Sequence, residues 1–291
     1  MKFEPRYCEE NVNAPEHSHF GEFIRLSLWL TGIICGVYLV LGYAADMLAE
    51  RLPPRFETAI AAGITSRFGH DDFPSTSGYV QNVLDSLVSS AEGLPKFSYK
   101  VSVHDEKTVN AIALPGGNII VYKGLLAELK SENELAMILA HELGHYAHRD
   151  HLHGLGRGLV LLSIMTVLGV SGDVPGFIAP SLQTFDLKYS RGRESAADLF
   201  AIDTLVRTYG HAGGSIDAFK VMARQDLGVK RPEIVSTHPD TVWRMESLAN
   251  YIKGKKYPEG AVKSLPGSGA LPFSDDDRKG YEQRSQPLKL E

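Results

Sequence analysis

An uncharged run near the start of the chain sets the first constraint on its fold. The run extends over twenty residues, from Leu26 to Ala45, and is bracketed by Arg25 and Asp46. A helix needs about 20 apolar residues to cross the hydrocarbon core of a bilayer, so residues 26–45 are predicted to form a transmembrane helix in contact with lipid. A secretory signal is the alternative, but its apolar stretch is shorter and lies closer to the first residue.

Positive charges flank this run on both sides and leave its orientation open. Three precede it and two follow it closely: Lys2, Arg6, Arg25, Arg51 and Arg55. The positive-inside rule compares Lys and Arg in short flanks, and these counts do not decide between the two orientations. We expect a single-pass protein of a bacterial inner membrane, and the sequence does not indicate on which side the rest of the chain lies.

The composition indicates one folded domain with accessory segments. Of the 291 residues, 43% are hydrophobic and 22% are charged, which suffices for a buried core. The net charge of -5 provides no broad basic surface, so we expect no nucleic-acid partner. We divide the chain into a polar tail (1–25), the membrane helix (26–45), a helical linker region (46–95), a main domain (96–252) and a disordered tail (253–291).

Hydrophobic periodicity predicts a helix followed by three short strands. Apolar residues at helical spacing from Val80 to Val88 predict an amphipathic helix that ends near Gly93. Period-two alternation predicts strands over 97–104, 111–114 and 118–122, the last two joined as a hairpin. Together with the helices that follow, these strands predict an α+β fold with a small sheet.

The next helix carries the motif HELGH. Ser131 and Glu134 form a capping-box pattern at its start. Residues four apart lie on one face of a helix, so His141 and His145 can present two imidazole nitrogens to one metal ion. Glu142 is rotated by about 100° from His141, where its carboxylate can serve as a base toward a water. The motif predicts two zinc ligands and a catalytic base, and an ordinary helix with two histidines is the alternative.

A second acidic motif lies about fifty residues further on, in a helix predicted over 193–208. Catalytic zinc generally takes three protein ligands and leaves a position for water. If Glu194 reaches the metal, Asp198 on the same helical face lies near a ligand imidazole, where a carboxylate would orient the ring and fix its tautomer. The alternative is a solvated Glu and Asp on an amphipathic helix.

These motifs resemble those of a known family. HELGH followed by ESAAD is similar to metallopeptidase family 48, which includes the CAAX prenyl proteases, the HtpX membrane heat-shock proteases and the Oma-type mitochondrial proteases. Three further stretches support the resemblance: NAIALPGGNIIVYKGLL (110–126), SENELAMILAHELGH (131–145) and STHPDTVWRM (236–245). The resemblance implies a mainly helical zincin-type domain that binds one Zn²⁺ per chain. It also implies the ligands His141, His145 and Glu194, with Glu142 as the base.

The membrane layout differs from part of that family. CAAX prenyl proteases and HtpX proteins carry several spans, whereas this chain has one clear run and a shorter one of fifteen uncharged residues, Gly158 to Gly172. The shorter run fits a hydrophobic lid, a helix in the membrane surface or ordinary core packing. The chain therefore resembles the branches with a soluble catalytic domain and a single anchor.

His238 is a further candidate catalytic residue. It lies immediately before a helix predicted to begin at Pro239, because proline suits the first helical position. From there its side chain could stabilise the oxyanion of the tetrahedral intermediate or occupy the open metal position in a resting form. A histidine that contacts backbone near a helix N-terminus is the alternative.

These features predict a membrane-anchored zinc metalloendopeptidase in protein quality control. Its expected substrates are polypeptides, in particular membrane or misfolded envelope proteins, whose main chain is expected to add as a strand beside residues 118–122. A membrane-anchored chaperone or scaffold with a closed or structural zinc site is the competing interpretation, and His238 as a fourth ligand would favour it. Hydrolysis without a metal is a third, and it predicts activity that survives chelators.

Overall fold

The structure of the chain, a computed structural model, describes residues 19–49, 57, 71–150, 152, 191–228 and 241–265. Two features of the sequence lie outside these residues: the uncharged run 158–172 and His238. The described part consists of an exposed N-terminal helix and a helical body that packs on a three-stranded sheet. This architecture confirms the predicted α+β class.

Helix α1 extends over His19–Ala49 and exposes its apolar side chains. Phe20, Trp29 and Tyr43 are 73%, 69% and 73% exposed. The stretch Phe20–Ala44 is long and apolar enough to cross a membrane, since its 25 residues span about 37 Å of helix against a bilayer core of about 30 Å. The helix agrees in length and composition with the predicted anchor.

Helix α2 (Pro74–Ser90) buries the apolar face that the periodicity predicted. Pro74 stands in its first turn, where a missing N–H costs nothing. Val80, Leu84 and Leu87 are fully buried against the body of the domain. Gly93 follows the helix with a φ of 79° and turns the chain toward the sheet.

The sheet consists of β1 (Lys100–His104), β2 (Ala111–Leu114) and β3 (Asn118–Tyr122) in the order β1-β3-β2. Strand β1 runs parallel to β3, and β2 pairs with β3 as the predicted antiparallel hairpin. Gly117 in the hairpin turn has a φ of 87°, and a Cβ on it would lie 2.8 Å from Cβ of Phe97. Both the conformation and the space at this turn therefore require glycine.

The position of β3 contradicts one expectation. A substrate strand was expected to add beside residues 118–122, but β1 and β2 occupy both edges of β3. The reason is a parallel pairing between β1 and β3, which places the last strand in sequence at the centre of the sheet. Only β1 and β2 can accept a further strand in the described part of the sheet.

Helices α3 (Lys123–Glu128) and α4 (Glu132–Ala147) follow the sheet. Ser131 caps α4 as predicted, with its Oγ accepting a hydrogen bond from the N–H of Glu134. The side chain of Glu134 reaches back one residue further than in a capping box, to the N–H of Lys130. Helix α4 is buried along nearly its whole length, so the HELGH motif lies in the centre of the domain.

Three more helices complete the described part of the domain: α5 (Arg191–Tyr209), α6 (Ser215–Gly228) and α7 (Thr241–Lys255). Helix α5 ends as predicted before Gly210, which has a φ of 79°. It packs on α4 at Gly144, where a Cβ would lie 2.8 Å from Cα of Ala197. A glycine at this position therefore permits the closest approach between the two helices that carry the motifs.

The beginning of the predicted disordered tail is folded. Helix α7 continues to Lys255, and the next residues pack on the domain as far as Leu265, which is 6% exposed. Ser264 pairs with Ser131 in a β-bridge, and the N–H of Glu132 donates to the carbonyl of Lys263. This segment has no apolar periodicity because its order comes from hydrogen bonds to a distant helix N-terminus.

A buried carboxylate joins this segment to the domain. Glu132 accepts hydrogen bonds from the hydroxyls of Tyr79 (2.5 Å) and Tyr209 (2.9 Å) and from Nζ of Lys263 (2.9 Å). Burial alone would raise the pKa of Glu132, but the bonds from Lys263, Tyr79 and Tyr209 outweigh it and lower the pKa. A carboxylate whose pKa is lower in the folded state stabilises the fold above its unfolded pKa of about 4.3, and this contribution is lost as the pH falls through its lowered folded pKa.

We expect Glu132→Gln to lower the midpoint of thermal unfolding by several degrees at pH 7, since 1 kcal/mol corresponds to about 2–4 °C in a domain of this size. The difference from the wild type should shrink as the pH is lowered from 7 toward 3, because the carboxylate of Glu132 is progressively protonated. The exposed Glu128→Gln is the matched control and should unfold as the wild type does at both pH values. An unfolding difference of equal size at pH 7 and pH 3 would contradict the role of the carboxylate charge.

Candidate metal centre

Helix α4 presents its two motif histidines to a common point. His141 and His145 are 1% and 0% exposed, and their Nε2 atoms lie 3.1 Å apart. The four-residue spacing stacks the side chains one turn apart on the same face, as predicted from the sequence. The helix is buried on all sides here, so both rings are held by packing.

Helix α5 brings Glu194 to the same point. Its carboxylate is 0% exposed, with Oε2 3.5 Å from Nε2 of His141 and Oε1 3.8 Å from Nε2 of His145. The close packing of α5 on Gly144 lets a side chain from the second helix reach the first. The structure therefore brings together the three side chains that the sequence analysis names as candidate ligands.

The spacing of these three side chains fits a zinc ion. Zinc bonds to nitrogen and oxygen are about 2.0–2.2 Å long, so a tetrahedral ion separates two of its ligand atoms by about 3.3–3.5 Å. The observed separations range from 3.1 to 3.8 Å around this value. One ligand atom from each of His141, His145 and Glu194 lies within 4.8 Å of the others, so the three residues can hold one metal ion.

The outer nitrogen of each ring has a carboxylate partner. Oδ1 of Asp198 lies 2.9 Å from Nδ1 of His141. A position near a ligand imidazole was expected for Asp198 because it lies on the same face of α5 as Glu194. Oδ2 of Asp150 lies 2.9 Å from Nδ1 of His145. When Nδ1–H donates to a carboxylate, Nε2 carries the lone pair that a metal needs.

Arg244 of α7 also belongs to the centre, and it is not among the residues that the sequence predicted there. Its guanidinium binds both carboxylate oxygens of Asp198, with Nη2 2.6 Å from Oδ1 and Nε 2.8 Å from Oδ2. Nη1 lies 2.6 Å from Oε2 of Glu194, an ion pair without the alignment of a hydrogen bond. The side chain is 1% exposed and lies over the ring of Phe219. The signal was present, since Arg244 lies four residues before the buried Leu248 at a position where the helical pattern calls for an apolar residue.

These charges shift the pKa values of their neighbours. Burial alone would lower the pKa of His141, but hydrogen bonds to Asp198 and Glu194 outweigh it and raise the pKa to about 9. Burial would raise the pKa of Asp198, but the bonds from Arg244 and His141 hold it below its usual value. Asp198 and Arg244 are therefore charged at neutral pH.

Of the two remaining candidate residues, Glu142 and His238, the structure describes only Glu142. Glu142 follows His141 on α4 and is 3% exposed. Its negative charge acts on Arg244, whose pKa it helps to raise, so its carboxylate lies in the electrostatic neighbourhood of the centre. His238 lies outside the described residues, and its role stays a prediction.

Comparison with known proteins places this centre in a family. The model of peptidase family M48 matches residues 74–252, which is more than half of the chain and includes every side chain of the centre. The chain belongs to peptidase family M48. Members of this family depend on a metal, which agrees with the grouping of His141, His145 and Glu194.

Individual relatives of this M48 peptidase are proteases. The mitochondrial metalloendopeptidase OMA1 of Schizosaccharomyces pombe is 27% identical over 69% of this chain and 59% of its own length. The metalloprotease YcaL of Escherichia coli is 28% identical over 60% of this chain and 69% of its own length. The beta-barrel assembly-enhancing protease of Yersinia pestis is 27% identical over 61% of this chain. The chain spans 59% of the OMA1 relative and 39% of the Yersinia relative.

We expect Arg244→Met to destabilise the domain strongly, because it leaves two buried carboxylates without their cation. Removing one partner of a buried ion pair costs about 3–5 kcal/mol, which corresponds to at least about 6 °C in the unfolding midpoint. Arg244→Lys keeps the charge without the bidentate bond. Its unfolding midpoint should therefore lie between those of Arg244→Met and the wild type. Thermal unfolding in the presence of a chelator measures the effect, with the exposed Arg207→Met as control. Equal midpoints for Arg244→Met and Arg207→Met would contradict this role for Arg244.

Proposed function

We propose that this protein is a membrane-anchored zinc metalloendopeptidase that hydrolyses peptide bonds in protein quality control. The observation that carries the proposal is a buried set of three candidate metal ligands, with Glu142 adjacent to His141 on the same helix. Family membership and the printed activities of the relatives support peptide hydrolysis as the reaction. Polypeptides are therefore the proposed substrates.

Zinc is the proposed metal because of the donor set. Two neutral imidazoles and one carboxylate form a ligand set that catalytic zinc uses, whereas magnesium and calcium take oxygen ligands. A catalytic zinc site has three protein ligands, and a structural site normally has four. In the described ranges the group has three members, His141, His145 and Glu194, which supports the catalytic interpretation over the chaperone or scaffold.

The reaction assigns a task to each side chain. When bound, zinc supplies Lewis acidity for the scissile carbonyl and lowers the pKa of a water toward about 7. Glu142 takes the proton of the attacking water and passes it to the leaving amine, so it acts first as a base and then as an acid. Asp198 holds His141 in one tautomer, and Arg244 keeps the carboxylates of Asp198 and Glu194 in place. His238 remains the proposed donor to the oxyanion or the resting-state occupant of the open position.

The outer edge of β2 is the proposed binding site for the substrate main chain. The carbonyl of Asn110 accepts from the N–H of Tyr122, so Asn110, Ile112 and Leu114 direct their backbone groups toward β3. The N–H and C=O of Ala113 then point to the outer edge. The hydroxyl of Tyr146, the residue after His145, donates to the carbonyl of Leu114 and ties this hairpin to α4. A peptide strand paired there lies beside the metal helix and is bound with little sequence selectivity.

Binding to this edge has a direct measurement. Hydrogen exchange at the amide of Ala113 should slow when an unfolded polypeptide binds to a Glu142→Gln variant that cannot cleave it. Unchanged exchange at Ala113 would exclude the edge of β2 as the binding site.

The proposed location is a membrane that α1 crosses once, with residues 26–45 in contact with lipid. The exposed apolar surface of α1 supports this location. A bacterial inner membrane, and membrane or misfolded envelope proteins as substrates, complete the proposal. One relative is named a beta-barrel assembly-enhancing protease, which supports the proposal that membrane or envelope proteins are the substrates of this chain.

We expect deletion of residues 1–50 to release a soluble domain, because the deletion removes the only long apolar helix of the described part. Fractionation of cells that express each form gives the measurement. Full-length protein should stay with membranes in carbonate and leave them only in detergent. Extraction by carbonate alone would contradict an integral anchor.

The catalytic assignment predicts two classes of variant. Alanine at His141, His145 or Glu194 removes a metal ligand and should lower both zinc content and casein cleavage. Glu142→Gln keeps the side-chain volume but cannot accept a proton, so zinc content and folding should persist while cleavage falls by at least about 10²-fold. Metal analysis and cleavage on the same preparations separate the classes. If Glu142→Gln cleaves at the wild-type rate, the mechanism is wrong.

A further inference from the structure

The chain turns sharply after the metal helix and returns a carboxylate to it. Helix α4 ends at Ala147, and Arg149 adopts a φ of 58°, a conformation that non-glycine residues rarely take. The N–H of Arg149 donates to the carbonyl of Tyr146, which closes the turn. Asp150 is thereby placed next to the last turn of α4 and is 2% exposed. A strained turn that buries a charged side chain requires a compensating interaction.

The turn is held from outside by a second buried carboxylate. Oε2 of Glu57 lies 3.5 Å from Nη2 of Arg149, and its Oε1 accepts from the N–H of Gly116 in the hairpin turn. Glu57 is 1% exposed and comes from the part of the chain between α1 and the sheet. The side chain of Arg149 is therefore paired with a carboxylate that is not part of the candidate metal centre.

The two carboxylate oxygens of Asp150 contact the two helices that carry the candidate ligands, α4 and α5. Oδ2 lies 2.9 Å from Nδ1 of His145, and Oδ1 lies 3.4 Å from Nε of Arg193. Arg193 precedes the candidate ligand Glu194 on α5. One buried side chain thus contacts a candidate ligand of α4 and the neighbour of a candidate ligand of α5.

We infer that Asp150 is a positioning residue of the metal centre, which fixes His145 in its Nδ1–H tautomer and fastens the beginning of α5 to the end of α4 through Arg193. It does for His145 what Asp198 does for His141, so each histidine has its own carboxylate. A carboxylate at Nδ1 directs the lone pair of Nε2 to the metal and increases its basicity. This inference rests on the proposed metal-binding function of His141, His145 and Glu194.

The zinc affinity of full-length variants, measured by competition with a chromophoric chelator, tests this role. Loss of an outer partner of a metal ligand lowers metal affinity by about 10–100-fold, and we expect this loss for Asp150→Ala. Asp150→Asn keeps the volume and an acceptor oxygen but not the charge, so its affinity should lie between those of Asp150→Ala and the wild type. The control is Asp217→Asn, an exposed carboxylate of α6 that pairs with Lys220 and should leave zinc affinity unchanged.

Two further measurements separate positioning from a purely structural role. Thermal unfolding with chelator shows at which temperatures Asp150→Asn is fully folded, and at those temperatures its zinc affinity should still differ from that of the wild type by several-fold. Arg193→Gln should weaken zinc binding in the wild type and have little effect in the Asp150→Asn background, because its effect passes through Asp150.

Asp150→Asn that binds zinc within twofold of the wild type would overturn the inference and leave the proposed function intact. If Asp150→Ala does not fold, Asp150→Asn alone decides by the same criterion. A wild-type protein that binds no zinc would overturn the proposed function, and the inference would fall with it.

Discussion

The approach of α5 to α4 at Gly144 is the contact on which the metal centre depends. A Cβ at Gly144 would lie 2.8 Å from Cα and 2.9 Å from the carbonyl oxygen of Ala197, so any larger residue must separate the two helices. Two candidate ligands come from α4 and the third from α5, which means that the separation of the helices sets the distances between ligand atoms. Metal sites tolerate deviations of only about 0.2 Å in their bonds. The small residues at this crossing are therefore as necessary to the site as the side chains that face the metal.

Electrostatic balance is the second requirement of this centre. Four carboxylates are buried around the two histidines, those of Glu142, Asp150, Glu194 and Asp198. Among the described residues, two guanidinium groups face them, Arg244 from α7 and Arg193 from the start of α5. Buried charges persist in proteins when they are paired, and a divalent cation would offset negative charge that these described groups carry in excess. The proposed zinc thus completes an arrangement that the protein has already built, and Arg244 limits how much negative charge the metal must offset.

Local spacing in the sequence predicted the parts of the centre that lie within single helices. His141 and His145 follow from a four-residue repeat, as does the placement of Asp198 beside the ring once Glu194 is at the metal. The hairpin of β2 and β3 was likewise predicted from local features, the period-two alternation of apolar residues and the glycine-rich turn between the strands. These predictions needed no knowledge of how distant segments pack, because the geometry of one helix or one hairpin determines them.

The features of the fold and of the metal centre that the sequence did not predict depend on contacts between segments far apart in the chain. No local pattern shows that β1 pairs with β3 in parallel, that residues 263–264 bind the start of α4, or that Arg244 reaches Asp198 across 46 positions. The sequence did not predict the contact of Asp150 with His145 because Asp150 follows the motif in a polar stretch whose turn has no local signal. A charge at an apolar helical position, as at Arg244, is the one signal of this kind that a sequence offers.

Removal and restoration of the metal on the full-length protein tests the central claim most directly. The protein purified in detergent should contain one zinc per chain and cleave casein. Stripping the metal with a chelator should abolish cleavage, and one equivalent of zinc should restore it. Cleavage that persists after complete removal of the metal would contradict the account, and so would a protein that holds one zinc per chain yet cleaves no unfolded polypeptide.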